Sequence, residues 1–437
     1  MRVHVESLQK FVVLAVVALP FWPATVVGET NFGTCLVNVQ AGVYGIGTDI
    51  GGTDNQGRPV NTSDATAITY ALCLSACGGG QESFNWINFS QQFGAWLLPW
   101  LALISQLPFG GNDKADNLES MLLALGSPAL AAYSLGLTVM NGRWIARRFS
   151  SYTYPNVRRA IRILSSLQQA PLKLEAEGPL LASLVLLPEN DNWWEEVEDW
   201  IDYTHTWSTS AVTTIIWVII AYIFTIVDCF AEDITSFINS NGVAVGSLWL
   251  WLLPIVIGWL QLSPKCDSDR LSNAIKHGAE IAYVAADEGG PILVKHAKTD
   301  AQALTLTLNS EVEDILRRDE RCTAPIYNYA RFFSWVEIVE KVSAAFKAAS
   351  NNRHIRKSVD GSPWVTAAHF QVDNSNRVGN AKQVIEYCPP QASRRRGFLE
   401  PEVLSRIFVA SVFALMIQWG TVGAAIWIAW VTPTEGK

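Results

Sequence analysis

Charge is what this sequence has least of. Asp, Glu, Lys and Arg make up 16% of it, where an ordinary globular domain carries roughly 25%. With 49% hydrophobic residues, so little charge excludes a disordered chain, which needs the opposite balance. A basic excess is missing as well: 32 Lys and Arg stand against 40 Asp and Glu, for a net charge of −8. No nucleic-acid partner is therefore expected. Seven cysteines in 437 residues are too few for a disulfide-dense secreted scaffold.

Catalytic signatures are also lacking. There is no phosphate-binding loop, no nucleophile elbow and no HExxH. The stretch from Gly45 to Gly51 has neither the Gly-Lys-Ser/Thr ending of a phosphate loop nor the third glycine of the dinucleotide fingerprint, so it reads as turns. His277, His296, His354 and His369 are scattered, and none has an acid or a cysteine at metal-binding spacing. No catalytic, cofactor-binding or metal-binding residue is assigned, and no cofactor is expected.

What the sequence has is apolar length. A span needs about 20 residues to cross roughly 30 Å. Four stretches qualify: 120–142, 206–227, 234–264 and 407–434. None carries an ionisable residue in its interior, where ion-coupled carriers usually place one. Gln418 is the strong polar group within them. A fifth stretch, 93–109, is shorter and holds Pro99, Gln106 and Pro108. It follows an aromatic stripe of Trp86, Phe89, Phe93, Trp96 and Trp100, spaced as on one helix face. Eighteen tryptophans fit a chain with much membrane interface.

The N-terminus has the parts of a cleaved secretory signal over 1–28: Arg2 and Lys10, an apolar run from Phe11 to Leu19, then Pro20, Pro23 and a small residue, Gly28. An uncleaved anchor is the alternative. Residues 29–88 then form an extracytosolic segment. It holds a glycosylation sequon at Asn61 and three disulfide candidates, Cys35, Cys73 and Cys77. Cys35 is expected to pair with one of the other two. A second sequon, at Asn88, lies near the membrane.

Bases near span ends set orientation. Arg143, Arg147 and Arg148 follow the 120–142 stretch, and Arg394, Arg395, Arg396 and Arg406 precede the last. They place 141–206 and 263–402 in the cytosol, which requires 93–109 to dip or lie at the interface instead of crossing. Five true spans is the alternative. Within 141–206, residues 156–169 form a basic amphipathic helix and 191–207 an acidic, aromatic one. Both are expected on the bilayer surface. The short apolar run 178–187 separates them.

Residues 263–402 carry 19 bases and 18 acids and read as a small, mostly helical domain. A helix is expected over 269–285. Alternation at Leu304, Leu306 and Leu308 gives a weak strand signal. A capping box at Ser310–Glu313 starts a further helix, and Pro325 opens a longer one. Small residues at helix-packing spacing recur in the spans: Gly242 with Gly246, Ala410 with Ala414, and Gly420 with Gly423. Pro128 and Pro254 imply kinks.

The runs WLLPWLALISQLPF at 96–109, GSPALAAYSL at 126–135, TAPIYNYA at 323–330 and QWGTVGAA at 418–425 resemble a family of multi-pass membrane proteins of filamentous fungi without an assigned activity. The resemblance covers residue 70 onward. It implies further spans beyond residue 434, so the chain is expected to be a shortened member.

The expected fold is mainly α: a polytopic helical membrane protein with four or five transmembrane segments and a small, mostly helical soluble domain. Its parts are 1–28 signal, 29–88 extracytosolic, 89–142 aromatic segment and span, 143–205 loop, 206–264 two spans, 265–402 soluble domain and 403–437 last span. The expected function is that of a non-enzymatic scaffold or interaction protein in the secretory pathway or plasma membrane. Its partners are the lipid bilayer and proteins bound through 265–402. A transporter or channel subunit and a lipid-directed enzyme are the alternatives.

Overall fold

The computed structural model describes residues 31–54, 57–78, 86, 89–90, 93–107, 114–170, 172–174, 179–202, 207–231, 249–262, 267–287, 290–297, 304–306, 325–366, 372–390, 401–424 and 426. The signal segment, the pair Gly242 and Gly246, Asn88 and the capping box at Ser310 lie outside them. The described chain is mainly α-helical, with three two-stranded antiparallel ladders. It divides into two units. One is Met1–Gly94 with Cys229–Val243 and Trp427–Lys437; the other is Ala95–Asp228 with Ala244–Ile426.

In the first unit, α1 (Phe32–Gln40) starts at Asn31, whose Oδ1 accepts the Thr34 N–H at 2.9 Å. Such a cap satisfies a backbone donor that the first helical turn leaves orphaned. A short ladder pairs β1 (Gly52–Thr53) with β2 (Ala67–Ile68), and α2 (Tyr70–Ala76) follows a Thr69 cap. Gly45, Gly47 and Gly51 have φ of +121°, +145° and +109°, values that L side chains avoid. The stretch is thus a set of turns. Among the described residues the buried apolar ones here are Cys35, Val39, Ala65 and Leu72. The covalent tie between Cys35 and Cys77, 42 residues apart, stabilises such a segment by about 4 kcal/mol in the chain-entropy account.

The second unit holds α3 (Leu98–Ile104), α4 (Lys114–Gly126), α5 (Pro128–Phe149), α6 (Val157–Ser166), α7 (Leu180–Leu186), α8 (Asp191–Ile201), α9 (Thr209–Ala231, to Asp228), α10 (Leu252–Leu262), α11 (Ser268–Ile281), α12 (Asn328–His354), α13 (Ala381–Tyr387) and α14 (Pro401–Gln418). The 120–142 stretch is two helices, because Pro128 forces Ser127 out of helical geometry and then opens α5. Pro254 likewise sits in the first turn of α10. Both prolines begin helices where kinks were expected.

Two cores occupy this unit. The first gathers α6, α7, α8, α11, α12 and α13 around Trp335, Phe346 and Phe149. All seven residues of α7 are buried, so the short apolar run 178–187 is the centre of a domain. β3 (Leu172–Leu174) pairs antiparallel with β6 (Leu304–Leu306), and β4 (Tyr283–Val284) with β5 (Ile292–Leu293). The β3–β6 pair ties the 143–205 loop to 265–402, and the two segments share one core.

The second core packs α3, α4, the first half of α5, α9 and α10 around Trp249, Trp251 and Trp259. Leu252, Ile255, Val256, Trp259 and Leu260 of α10 point into it, a helical stripe of spacing three and four. Among the described residues one helix, Pro401–Gly423, is long and apolar enough to cross a membrane; Thr209–Phe224 and Leu252–Leu262 are shorter apolar helices. α3 continues a π-helical turn over Phe93–Leu97, so the helical run is 93–104 before the chain turns at Ser105.

The amphipathic pair α6 and α8 corrects the surface-helix expectation. Val157, Ala160, Ile163 and Leu164 of α6 are buried, as are Trp193, Trp194, Val197 and Ile201 of α8. The Trp335 Nε1–H donates to the Leu164 carbonyl at 2.8 Å, and the Trp194 Nε1–H to that of Leu184, also at 2.8 Å. The apolar faces meet protein. Their charged faces meet each other, with Arg159 on Glu195 at 2.8 Å and Arg162 on Glu198 at 2.5 Å.

Candidate functional site

α5 and α14 run antiparallel and close together. Gly136 permits the approach, because a Cβ there would lie 3.1 Å from Phe413 and 3.4 Å from the Ala410 backbone. Ala410 and Ala414, at the spacing noted in the sequence, are both buried. Five residues further along α5, Asn141 Oδ1 accepts from Arg406 at 2.8 Å, and Asn141 Nδ2 donates to Gln168 Oε1 at 3.1 Å. Asn141, Gln168 and Arg406 are all buried. Arg406 also donates to the Glu402 carbonyl and lies between the rings of Trp144, at 4.2 Å, and Phe332, at 4.8 Å. A buried guanidinium is tolerated only when hydrogen-bonded or paired, and this one has oxygen and aromatic faces around it. Trp144 Nε1–H reaches Glu402 Oε2 at 3.1 Å.

α12 runs parallel to α5 and is pinned to it repeatedly. Ser134 donates to the Ile326 carbonyl at 2.7 Å, Asn328 to Thr138 at 2.7 Å, and Arg148 to Glu340 at 2.6 Å. Tyr152 and Ser343 share a bond at 2.9 Å. Two of the runs that carry the fungal resemblance, 126–135 and 323–330, therefore meet at the Ser134–Ile326 bond.

Deeper in the domain, Arg377 is 2% exposed and forms a bidentate pair with Asp191, both bonds at 2.6 Å. It also donates to the carbonyls of Leu186 and Leu187. Burial alone would lower its pKa, but the Asp191 carboxylate and the Tyr154 hydroxyl together outweigh that and the net shift is upward. Burial pushes the Tyr154 and Tyr387 hydroxyls up, and the Cys388 thiol up to about 12. The Glu196 carboxyl is held low by its hydrogen bond with His277, 2.5 Å away, and by Asn192.

The residues singled out in the sequence fall in different places. Asn61 and Ser63 of the sequon are exposed. Cys35 is bonded to Cys77, with Cα atoms 5.6 Å apart, and Cys73 keeps a free, half-buried thiol. A Cβ at Gly420 would meet nothing within 4 Å, and one at Gly423 only Trp419 of its own turn. Glycines that do receive a neighbour from another helix include Gly136, Gly258, 2.6 Å from a Leu135 methyl, and Gly278, against Val197 and Trp193. Ala132 four residues before Gly136 was the available signal for the first. Gln418 is half-buried, whereas Asn141, at the end of the 120–142 stretch, is fully buried. Among the described residues no three His, Cys, Asp or Glu side chains gather as a metal site.

No protein-family model, curated protein or solved structure matches the chain.

Proposed function

We propose that the chain is a multi-pass membrane glycoprotein of the secretory pathway or plasma membrane, related to the fungal membrane proteins it resembles. In this reading it works as a non-enzymatic scaffold that offers its helical domain to protein partners. The observation that carries this is the exposure of α14. Its membrane-length stretch has a mean hydropathy of 1.6, yet 22% of it is buried, whereas a soluble core helix of that composition would be mostly buried. On α9, among the described side chains, Ala211, Ile215 and Val218 are buried in the core and Tyr222 packs against it, while Ile216, Trp217, Ile220, Ile223 and Phe224 face outward. An apolar face this large calls for lipid or a partner. Four crossings with 93–109 at the interface suit the short helical run 93–104 and leave the bases at the end of α5 and the start of α14 on one side.

The test is a topology map of the full chain. Resistance to alkaline carbonate extraction is expected. A cysteine introduced at Ser151 should react with impermeant reagent only after the plasma membrane is opened, and one at Ser236 from the opposite side. Glycosidase should shift the mobility of the wild type and leave Asn61→Gln unchanged. Extraction by carbonate overturns the membrane reading; labelling of Ser151 from outside replaces four crossings with five.

A further inference from the structure

At the level where α5 and α14 pass from apolar to charged residues, a cleft of about 480 Å³ opens between them. Such a volume is in the range of small-ligand pockets. Met140, Trp144, Arg147 and Arg148 line one wall, at positions that recur on one face of α5, while Glu402, Arg406 and Val409 line the other. Three guanidinium groups thus border one cleft with a single carboxylate.

These groups are not equally committed. Arg406 is spent on Asn141 and on the Trp144 and Phe332 rings, so it supplies fixed positive charge. Glu402 is turned toward the Trp144 N–H. Arg148 gives one terminal nitrogen to Glu340, and its Nε is buried with no hydrogen-bond partner among the described residues. A buried donor left unmade costs about 1–3 kcal/mol. Arg147 is exposed, and its side chain has no partner among the described residues. The other end of the cleft is apolar, with Met140 and Val409, and continues along α14 to Phe408, 68% exposed.

We propose that this cleft holds the phosphate headgroup of an anionic membrane phospholipid. Arg147 and Arg148 are the donors, and an acyl chain lies along Met140, Val409 and Phe408. The shared chemistry is that of a phosphate ester, and a soluble phosphate would offer the same oxygens. The apolar end distinguishes the two, because only a lipid fills it. The inference rests on the membrane reading above and adds a lipid preference to it.

The experiment uses the full chain purified in detergent, with phosphatidylserine and phosphatidylcholine titrated in and bound lipid counted by native mass spectrometry. Preferential retention of phosphatidylserine is expected. A base near an anionic surface contributes on the order of 1 kcal/mol, so Arg147→Ala should weaken phosphatidylserine about five-fold with unchanged thermal stability. Arg147→Lys should recover most of it, and Arg147→Ala/Arg148→Ala should abolish the preference. Because the double variant also strips Glu340 of its partner, the exposed Arg147→Glu is the control, with a larger loss than Arg147→Ala. Equal binding of both lipids, or wild-type behaviour of Arg147→Glu, overturns the site while leaving the membrane reading intact. Displacement of the lipid by millimolar inorganic phosphate identifies a free-anion site and overturns the lipid. Recovery of the chain in the carbonate extract overturns both readings together.

Discussion

The core around Trp335 and the core around Trp249 lie along the same helix, α5, yet they are assembled differently. Around Trp335, indole N–H groups reach carbonyls, Asn190 bonds Ser183 and Tyr283, and Arg377 is buried against Asp191. Each of the groups just named has an assigned partner, as buried polar groups require. Around Trp249 the contacts are mostly rings, methyls and close glycines, as where Gly258 receives Leu135, with the Ser134 hydroxyl on the Ile326 carbonyl beside them. Its outer surface, on α9, stays apolar. The first core is specified by hydrogen bonds, the second by shape. The lesson is that one long helix can serve two cores that are held together in different ways. On α5 the change comes between Leu135, in the second core, and Asn141.

The comparison can be broken most strongly at Arg377. Arg377→Leu takes the donor from the Leu186 and Leu187 carbonyls and one of the partners of the part-exposed Asp191, which keeps Asn156; each buried carbonyl left unmade costs about 1–3 kcal/mol. Differential scanning calorimetry should show the domain transition falling by many degrees. Arg377→Met combined with Asp191→Asn should recover part of that loss. A smaller break is expected at Gly136. Gly136→Leu must push Phe413 and the α14 backbone away, and overpacking costs about 1–3 kcal/mol. It should lower thermal stability in detergent while leaving the tryptophan environment of the α6–α8 domain unchanged.

The effect of pH sharpens the contrast further. Cys388, with its thiol donating to the Ala345 carbonyl, has its pKa raised by burial from 9.0 to about 12. A group whose folded value is raised contributes stability in full below its unfolded value and loses it as pH climbs toward the folded one. The hydrophilic core should thus lose stability between pH 9 and 12, and Tyr154 and Tyr387 act in the same direction. A pH series of domain melting should show this, and Cys388→Ala should flatten it. At neutral pH a maleimide should modify Cys73 readily and Cys388 only after unfolding. The smallest effect is at the surface: Glu195→Ala removes an exposed partner of Arg159 and should change stability by less than about 1 kcal/mol, within the error of a urea titration.

How much of this was legible beforehand depends on the range of each interaction. The helical nature of the chain, the 3-10 turn that Pro325 opens ahead of α12, the strand at Leu304 and the turns at Gly45–Gly51 follow from local chemistry, and all are present. The burial of α6 and α8 was not legible. An amphipathic face looks the same whether it meets lipid or protein, and its partner Trp335 is 171 residues away from Leu164. The same holds for Asn141, which ended an apolar run unremarked until Arg406 reached it. Arg406 itself was visible only as a charge for orientation.

That pairing sets an order on the making of the chain. Asn141 is 265 residues ahead of Arg406. At 5–20 residues per second of synthesis, α5 emerges roughly 13–50 s before the arginine exists. During that interval the amide has only Gln168 to satisfy it. When α14 finally arrives, its one buried cation finds an oxygen already in place, so the last helix completes a site that the earlier chain has held open for it.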